Sequence, residues 1–374
     1  MKLLALPPDP NPYQRLLYGE CERRGLRVRY VGKLTPGRTP NLVVLPFELV
    51  FWRLAGYRIL HVHWVFGFRL PGTGRVPAVG RLGRAWFTMM LWLARRLGMR
   101  VVWTAHNTLP HERVFDDDVA ARRTLMEASS LVISHSRAAL ADLERVVTRP
   151  RRAAVIPPGP FNLNPGAARV RPPGAERTSA AAPLPLLFFG KVIPYKGVEE
   201  LLEAVAELPP GTVQLRVVGE CKDPALRRSL NRLAGRGVEL RLDRRVSDAE
   251  ATALMGWADA VALPFRRVTT SASALFAMEH SRPLVLPDLP AFAELPDEAV
   301  RRYDGSVSGL VVALEDVAGW TSERLAAAGA AARGYTDRFT WAGAADRTMT
   351  ELDEALESAT GRCAPSPRTS APEW

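Results

Sequence analysis

The sequence predicts two parallel α/β domains in tandem, each a sheet with helices on both faces. Three observations carry this. A chain of 374 residues is too long for one ordinary core. Short apolar runs alternate with helical patterns along most of it, the signature of a parallel sheet. The alternation breaks once, over Pro157 to Pro185, where the chain is rich in proline, glycine and alanine and has no apolar period. The expected boundaries are therefore a first domain over 1–160, a second over 184–335, a last amphipathic helix over 336–360 and a disordered tail over 361–374.

The elements follow in order. In the first half "MKLLAL" reads as a strand, Tyr13 to Arg24 as a helix, and "LRVRYV" and "YRILHVHWV" as strands. Then come a helix from Ala85 to Leu97, the strand "RVVWTAH", a helix from Val119 to Glu127, the strand "LVISHS" and a helix from Arg137 to Val147. After the break the strands are "LLFFG", "VQLRVVG", "VELRL", "AVALP" and "PLVLP". The helices between them span Gly197 to Glu207, Ala225 to Leu233, Asp248 to Met255 and Ala272 to His280, and a final helix spans Trp341 to Leu356. In such sheets ligands gather at the carboxyl ends of the strands, so chemistry is sought just after each strand.

Composition narrows the classes. Cys21, Cys221 and Cys363 lie far apart, which argues against a disulfide framework or a zinc site. No apolar run reaches the ~18 residues of a membrane span. The start lacks the apolar core of a signal peptide, so a cytoplasmic protein is expected. The net charge of +11 is uneven: residues 1–170 hold 26 Lys+Arg against 11 Asp+Glu. A basic first half suits an anionic membrane, an acidic substrate or nucleic acid, or reflects codon usage. No nucleic-acid recognition motif is present, and nucleic acid is set aside.

The stretch "LLFFGKVIPYKGVEELLEAV", Leu186 to Val205, ends a strand in Gly190 and Lys191 and places Lys196 and Gly197 just before a helix. A strand, a glycine turn and a helix N-terminus make an anion site, and two lysines suit an anion with more than one charge. This phrase resembles the donor motif of GT-B glycosyltransferases of family 4. The resemblance continues through "LRVVGE", "RLDRRVSDAEATALMGWADAVALPF", "RPLVLPDLPAFAEL" and "FTWAGAADRTMTELDEAL". In the first half, "NPYQRLLY", "HVHW" and "VVWTAHNTLPHE" are similar to a bacterial subgroup acting on polysaccharide or natural-product intermediates or lipid-linked sugars.

The resemblance implies two Rossmann-like domains facing a cleft, the first for acceptor and the second for nucleotide sugar, with a last helix crossing back to the first. It implies transfer of a hexose from a UDP- or GDP-sugar to a hydroxyl of a glycan, glycolipid or natural product, with retention more expected than inversion. Lys191 and Lys196 would hold the diphosphate, beside Gly190. Gly219 would let the nucleotide approach the backbone, and the backbone near Val246 would meet the base. One departure stands out. The family's two glutamates, eight apart, fall here on Val268 and Phe276. Ser271 or Ser273, at a hydroxyl-rich helix start, would bind phosphate in their place. No metal and no cofactor is expected. The alternative is a non-catalytic nucleotide-sugar-binding relative or a membrane-associated polyanion-binding protein.

Other candidates have a functional and a structural reading. His106, after "VVWTA", is expected to act on the reacting sugar, since imidazole exchanges a proton near neutral pH; it would otherwise tie down its loop. Asn11, Tyr13, His63, Trp64, His111 and Glu112 are expected on the acceptor side. Asn11 and Tyr13 equally suit a turn and helix start, and Glu112 a helix start. His61 and His63 share one strand face but lack a local carboxylate or cysteine to complete a metal set, and His61 reads as structural. Asp116 to Asp118 reads as a helix start and not a metal motif. Arg75, Arg81 and Arg84, beside Trp86 and Trp92, suit peripheral contact with an anionic membrane on its inner face.

Overall fold

A computed structural model describes residues 1–9, 11–35, 37–73, 75–110, 112–161, 172–175 and 182–357. Two compact units emerge: Met1–Pro158 with the chain from Trp341 onward, and Gly159–Thr340.

The first unit contains β1 (Lys2–Leu6), α1 (Pro12–Arg23), β2 (Arg27–Tyr30), α2 (Arg38–Leu54), β3 (Ile59–Val62), α3 (Pro77–Arg96), β4 (Arg100–Thr104), α4 (Asp118–Ala128), β5 (Ser129–Ser134), α5 (Arg137–Val146) and β6 (Ala153–Val155). Its six strands are all parallel, in the order β2-β1-β3-β4-β5-β6. β3 is wholly buried, and β1 and β4 are buried beyond their first residue, because helices cover both faces.

The second unit contains β7 (Leu184–Phe189), α6 (Val198–Glu207), β8 (Val213–Val218), α7 (Pro224–Leu233), β9 (Val238–Arg241), α8 (Asp248–Trp257), β10 (Ala260–Ala262), α9 (Ala272–Glu279), β11 (Leu284–Pro287), β12 (Val300–Tyr303), α10 (Val307–Ala318) and α11 (Ser322–Asp337). Its parallel sheet runs β12-β11-β10-β7-β8-β9. The last helix, α12 (Trp341–Glu357), belongs to the first unit. Arg24 pairs with Asp346, Arg152 with Glu351 at 2.6 Å, and Arg347 Nη2 donates to the Val155 carbonyl at 2.7 Å.

The strand orders place the sites. In the first unit the order reverses between β1 and β3; in the second, between β7 and β10. The crevice at such a switch point is where α/β sheets bind ligands. Part of the proline-rich break packs on the second unit: the Gly174 N–H donates to Asp259 Oδ1 at 2.7 Å, and Ser322 Oγ donates to the Gly174 carbonyl at 3.0 Å. The expected tail, 361–374, lies outside the described residues.

Several elements exceed the sequence expectation. α3 begins at Pro77, eight residues before Ala85. α2, β6, β12, α10 and α11 have no counterpart in it. α2 carries Pro46 in its middle. A proline there removes one N–H, which leaves the carbonyl four residues back without its helical partner. That carbonyl belongs to Leu42, and it accepts instead from the indole Nε1 of Trp86, on α3, at 3.2 Å. A second bond ties the same helices, Arg53 Nε to the Leu97 carbonyl at 2.7 Å. Both bonds span 44 residues, so α2 and α3 run side by side in parallel.

Candidate functional site

In the second unit, β7 ends at Phe189 and the chain turns through Gly190. The Gly190 N–H donates to the Val218 carbonyl at 3.1 Å, holding the ends of β7 and β8 together. The approach is so close that a Cβ on Gly219 would lie 1.8 Å from the Gly190 carbonyl oxygen. Gly219 is therefore required by its neighbouring strand, whatever ligand lies beyond it.

Pro194 to Lys196 form one 3-10 turn, and Gly197 follows in the left-handed region at φ 68°. A Cβ there would meet the Pro264 carbonyl oxygen at 1.9 Å, so the turn is locked against the end of β10. The turn aims Lys196 back at Gly190. A Cβ on Gly190 would lie 2.8 Å from Ser273 Oγ and 3.1 Å from Lys196 Nζ. Ser273 reaches this point from the start of α9, whose cap is Ser271: its Oγ accepts from the Ala274 N–H at 3.1 Å. Ser271 is thus spent on the helix, while Ser273 faces the lysine. Thr270 Oγ1 beside them is buried with no hydrogen-bond partner.

Lys191 is exposed and Lys196 half-buried. Burial, and next the charge of Lys191, lowers Lys196 to about 8. The causes include no carboxylate. Two cations and a helix start at the β7/β10 switch point make a place for a doubly charged anion. Val246 lies half-buried in the loop before the α8 cap Ser247. At the two positions where glutamates were expected by resemblance, Val268 and Phe276 pack on the apolar core, and Phe276 sits between Phe189 at 5.6 Å and His280 at 4.3 Å.

In the first unit a hydrogen-bonded chain crosses the carboxyl ends of β3, β4 and β5. His135 Nδ1 lies 3.1 Å from the Ile156 carbonyl, and His135 Nε2 lies 3.0 Å from His106 Nδ1. His106 Nε2 lies 3.1 Å from His63 Nδ1. His63 Nε2 lies 2.6 Å from Tyr18 Oη, which is 2.9 Å from His61 Nδ1; His61 Nε2 is 2.8 Å from Thr104 Oγ1. A carbonyl only accepts, so His135 carries its proton on Nδ1 and accepts at Nε2. His106 and His63 must then donate from Nδ1 in turn. Tyr18 donates to His63 and accepts from His61, and Thr104 donates to His61. With neutral rings, the chain has one direction.

Burial drives every ring toward the neutral form. It lowers His61 to about 3 and His135 to about 4. His63 and His106 are held well below the usual range by burial, with neighbouring histidines adding to it. Protonating His106 would also set one N–H against another.

This geometry corrects several expectations. Tyr13 and His63 are 4% and 2% exposed, so neither lines an open surface. Tyr13 is an internal hub, edge-on to His106 at 4.7 Å and to Trp341 at 5.4 Å. His106 is half-buried, but both ring nitrogens are engaged within the chain. Its ring stacks on Trp64 at 4.3 Å, 13° from parallel. Asn11 caps α1, its Oδ1 accepting from the Tyr13 N–H at 2.9 Å. Glu112 is exposed and paired with Arg69. His111 lies outside the described residues. Asp116 pairs with Arg84 at 2.8 Å, Asp117 caps α4, and Asp118 accepts from the Phe115 N–H. Arg84 is therefore committed to Asp116. His135 and Tyr18 were not expected; the signal was a histidine soon after each of three neighbouring strands.

Residues 184–328 match the family described as Glycosyl transferases group 1. The chain has a GT-B fold with a group 1 glycosyltransferase domain. The same fold appears in sucrose-phosphate synthase from Thermosynechococcus elongatus, at 17% identity and TM-score 0.69, covering 96% of this chain and 99% of that one. It appears in HepE from Anabaena, solved in complex with UDP and glucose, at 17% identity and TM-score 0.68, covering 95% and 100%. A curated relative, GDP-mannose:glycolipid 4-beta-D-mannosyltransferase of Xanthomonas campestris pv. campestris, is 27% identical over 250 residues, 66% of this chain. The chain matches 65% of that relative's length. The lysine cradle lies within the matched domain. Among the described residues no helix is long and apolar enough to cross a membrane, and no cluster of His, Cys, Asp or Glu has a metal-binding arrangement.

Proposed function

We propose that the chain transfers a hexosyl group from a nucleoside-diphosphate sugar to a hydroxyl of a glycan or glycolipid, with GDP-mannose the first donor to test. The observation that carries the reading is the convergence of Lys196 Nζ and Ser273 Oγ on Gly190, inside the group 1 domain. The relatives' donor and acceptor and the UDP complex of HepE support it. When the bond from the anomeric carbon to the diphosphate oxygen breaks, the electron pair stays with the diphosphate. Fixed cations that meet this growing charge lower the barrier. Lys191 and Lys196 take that role, with Ser273 Oγ and the first N–H groups of α9 as donors. The arriving phosphate raises Lys196 back to full protonation. Val246 is assigned to the base by its backbone, and Trp64 with the face of His106 to the acceptor side. The site uses no metal.

The resemblance implies retention, whereas the relative's name specifies a β-mannosyl product; the one-bond C1–H1 coupling of the product reads the outcome. A second reading, nucleotide-sugar binding without transfer, draws on Val268 and Phe276 in place of glutamates.

The test pairs two measurements. A thermal-shift panel of GDP-, UDP- and dTDP-sugars identifies the donor, since a ligand at a hundred times its dissociation constant adds ~2.7 kcal/mol of stability. Lys196→Ala should then lower transfer by about 10²–10³ with the fold intact. Near wild-type turnover at saturating donor would refute the diphosphate assignment. Donor binding with neither transfer nor hydrolysis would favour the second reading.

A further inference from the structure

The solvent face of α2 is apolar. Val43, Phe47, Val50, Phe51 and Leu54 are 60%, 72%, 38%, 62% and 84% exposed, and they recur at helical spacing along one side. The opposite side, with Leu45, Glu48 and Leu49, is buried. α3 lies alongside in parallel register and adds Leu82, Met89 and Trp92 at 61%, 37% and 55% exposure. Scattered exposed apolar residues are normal, but a contiguous face on two paired helices marks an interaction surface.

Charge selects the partner. From Arg23 to His111 the chain holds fifteen arginines and lysines and a single acidic residue, Glu48. Glu48 is 6% exposed and accepts from the Gly32 N–H at 2.9 Å, so this stretch offers no exposed carboxylate. Arg75 and Arg81 are exposed at the start of α3 and Arg95 and Arg96 in its last turn, and none of them has a carboxylate partner among the described residues. Arg96 instead lies over the Trp92 ring, 5.4 Å from its centre. An apolar stripe rimmed by unpaired arginines, with a tryptophan between them, is complementary to one kind of surface: a sheet of phosphate-bearing headgroups over hydrocarbon.

We propose that the joined solvent faces of α2 and α3 dock on an anionic lipid bilayer. Phe47, Phe51, Leu54 and Trp92 enter the boundary between headgroups and acyl chains, and Arg75, Arg81, Arg95 and Arg96 meet the headgroup phosphates. Arg84, paired with Asp116, takes no part. The inference concerns where the protein sits and stands apart from the transfer reaction.

Flotation of the full chain with phosphatidylcholine vesicles, with and without phosphatidylglycerol, tests it. The protein should float with the anionic vesicles at low salt and be released as salt rises. Each basic residue at an anionic surface is worth about fivefold, so replacing the four arginines by Gln should weaken partitioning on the order of 10²–10³-fold. Phe47→Ser with Phe51→Ser should abolish flotation while raising solubility, and donor-induced thermal shifts should be unchanged in both variants. Brominated lipid should quench tryptophan emission, and Trp92→Phe should remove most of that quenching. Failure to float with anionic vesicles at low salt overturns the proposal. So does equal, salt-insensitive flotation with neutral vesicles. So does a concentration-dependent dimer in light scattering that Phe47→Ser with Phe51→Ser dissolves, since the face would then join two copies of this chain.

Discussion

Acidifying the protein from about pH 7.5 to about pH 5 should destabilise the first unit before most carboxylates titrate. The cause is the histidine chain. His61 and His135 are lowered by burial to about 3 and about 4, whereas in the unfolded chain each titrates near the usual 6.5. A base whose folded value is depressed binds protons only when unfolded, so its contribution is complete above the unfolded value and is lost as pH falls below it. Each unit below 6.5 costs ~1.4 kcal/mol per ring, so these two rings withdraw roughly 4 kcal/mol by about pH 5. His63 and His106 act in the same direction. Glu48 and Asp118, whose carboxyls burial pushes up, act in the opposite one and gain as pH falls. For a unit of this size ~4 kcal/mol lowers the melting temperature by roughly 8–16 °C. Scanning calorimetry at the two pH values reads it. The double variant His61→Gln with His135→Gln should melt lower at neutral pH and show a flatter pH dependence. A first-unit transition that does not move between the two pH values, or a double variant with the full slope, would refute the reasoning.

Gly197→Ala should destabilise the second unit by roughly 1–3 kcal/mol or more and abolish donor binding, because φ is 68° and the added carbon would meet the Pro264 carbonyl at 1.9 Å; denaturant melts and the thermal-shift panel check both. Transfer should persist in EDTA, since lysines and helix N–H groups are proposed to face the diphosphate; activity lost on chelation and restored by Mg²⁺ or Mn²⁺ would reopen the site assignment. Trp86→Phe should cost ~1 kcal/mol or more by orphaning the Leu42 carbonyl, and Pro46→Ala in the same chain should recover much of it by restoring the helical N–H; urea melts of the two variants read the difference.

What was legible in the sequence was what is local in the chain. Lys191, Lys196 and the glycines around them sit in one strand-turn-helix, so twenty residues were enough to suggest an anion site. Strands such as β3, β4 and β11 read clearly because burial on both faces writes them as apolar runs. α2 did not, because its proline breaks the pattern and its apolar residues lie on opposite sides, one buried and one exposed. α11 is rich in alanine, with little contrast between its faces. The histidine chain could not be read in advance, because its rings lie on or just after three separate strands, with His61 and His63 both at β3, and they meet only once the order β1-β3-β4-β5 is known. Tyr18, which joins His61 to His63, comes from mid-helix in α1 and has no neighbouring signal.

In water a neutral imidazole keeps its proton mainly on Nε2. Here four rings keep it on Nδ1, and the choice is made at the far end, by a main-chain oxygen. The Ile156 carbonyl lies two residues before the first unit gives way to the second. Changing the isoleucine side chain would leave the tautomers untouched, while shifting its peptide plane would release the first ring and with it the reason for the second, third and fourth. The cluster is thus one object with one protonation isomer, and its members should not respond singly. Side-chain ¹⁵N spectra should show five histidines with the minority isomer: His280, whose Nδ1 faces the Phe276 carbonyl at 2.8 Å, and the four of the cluster, which should change together when any one of those four is replaced.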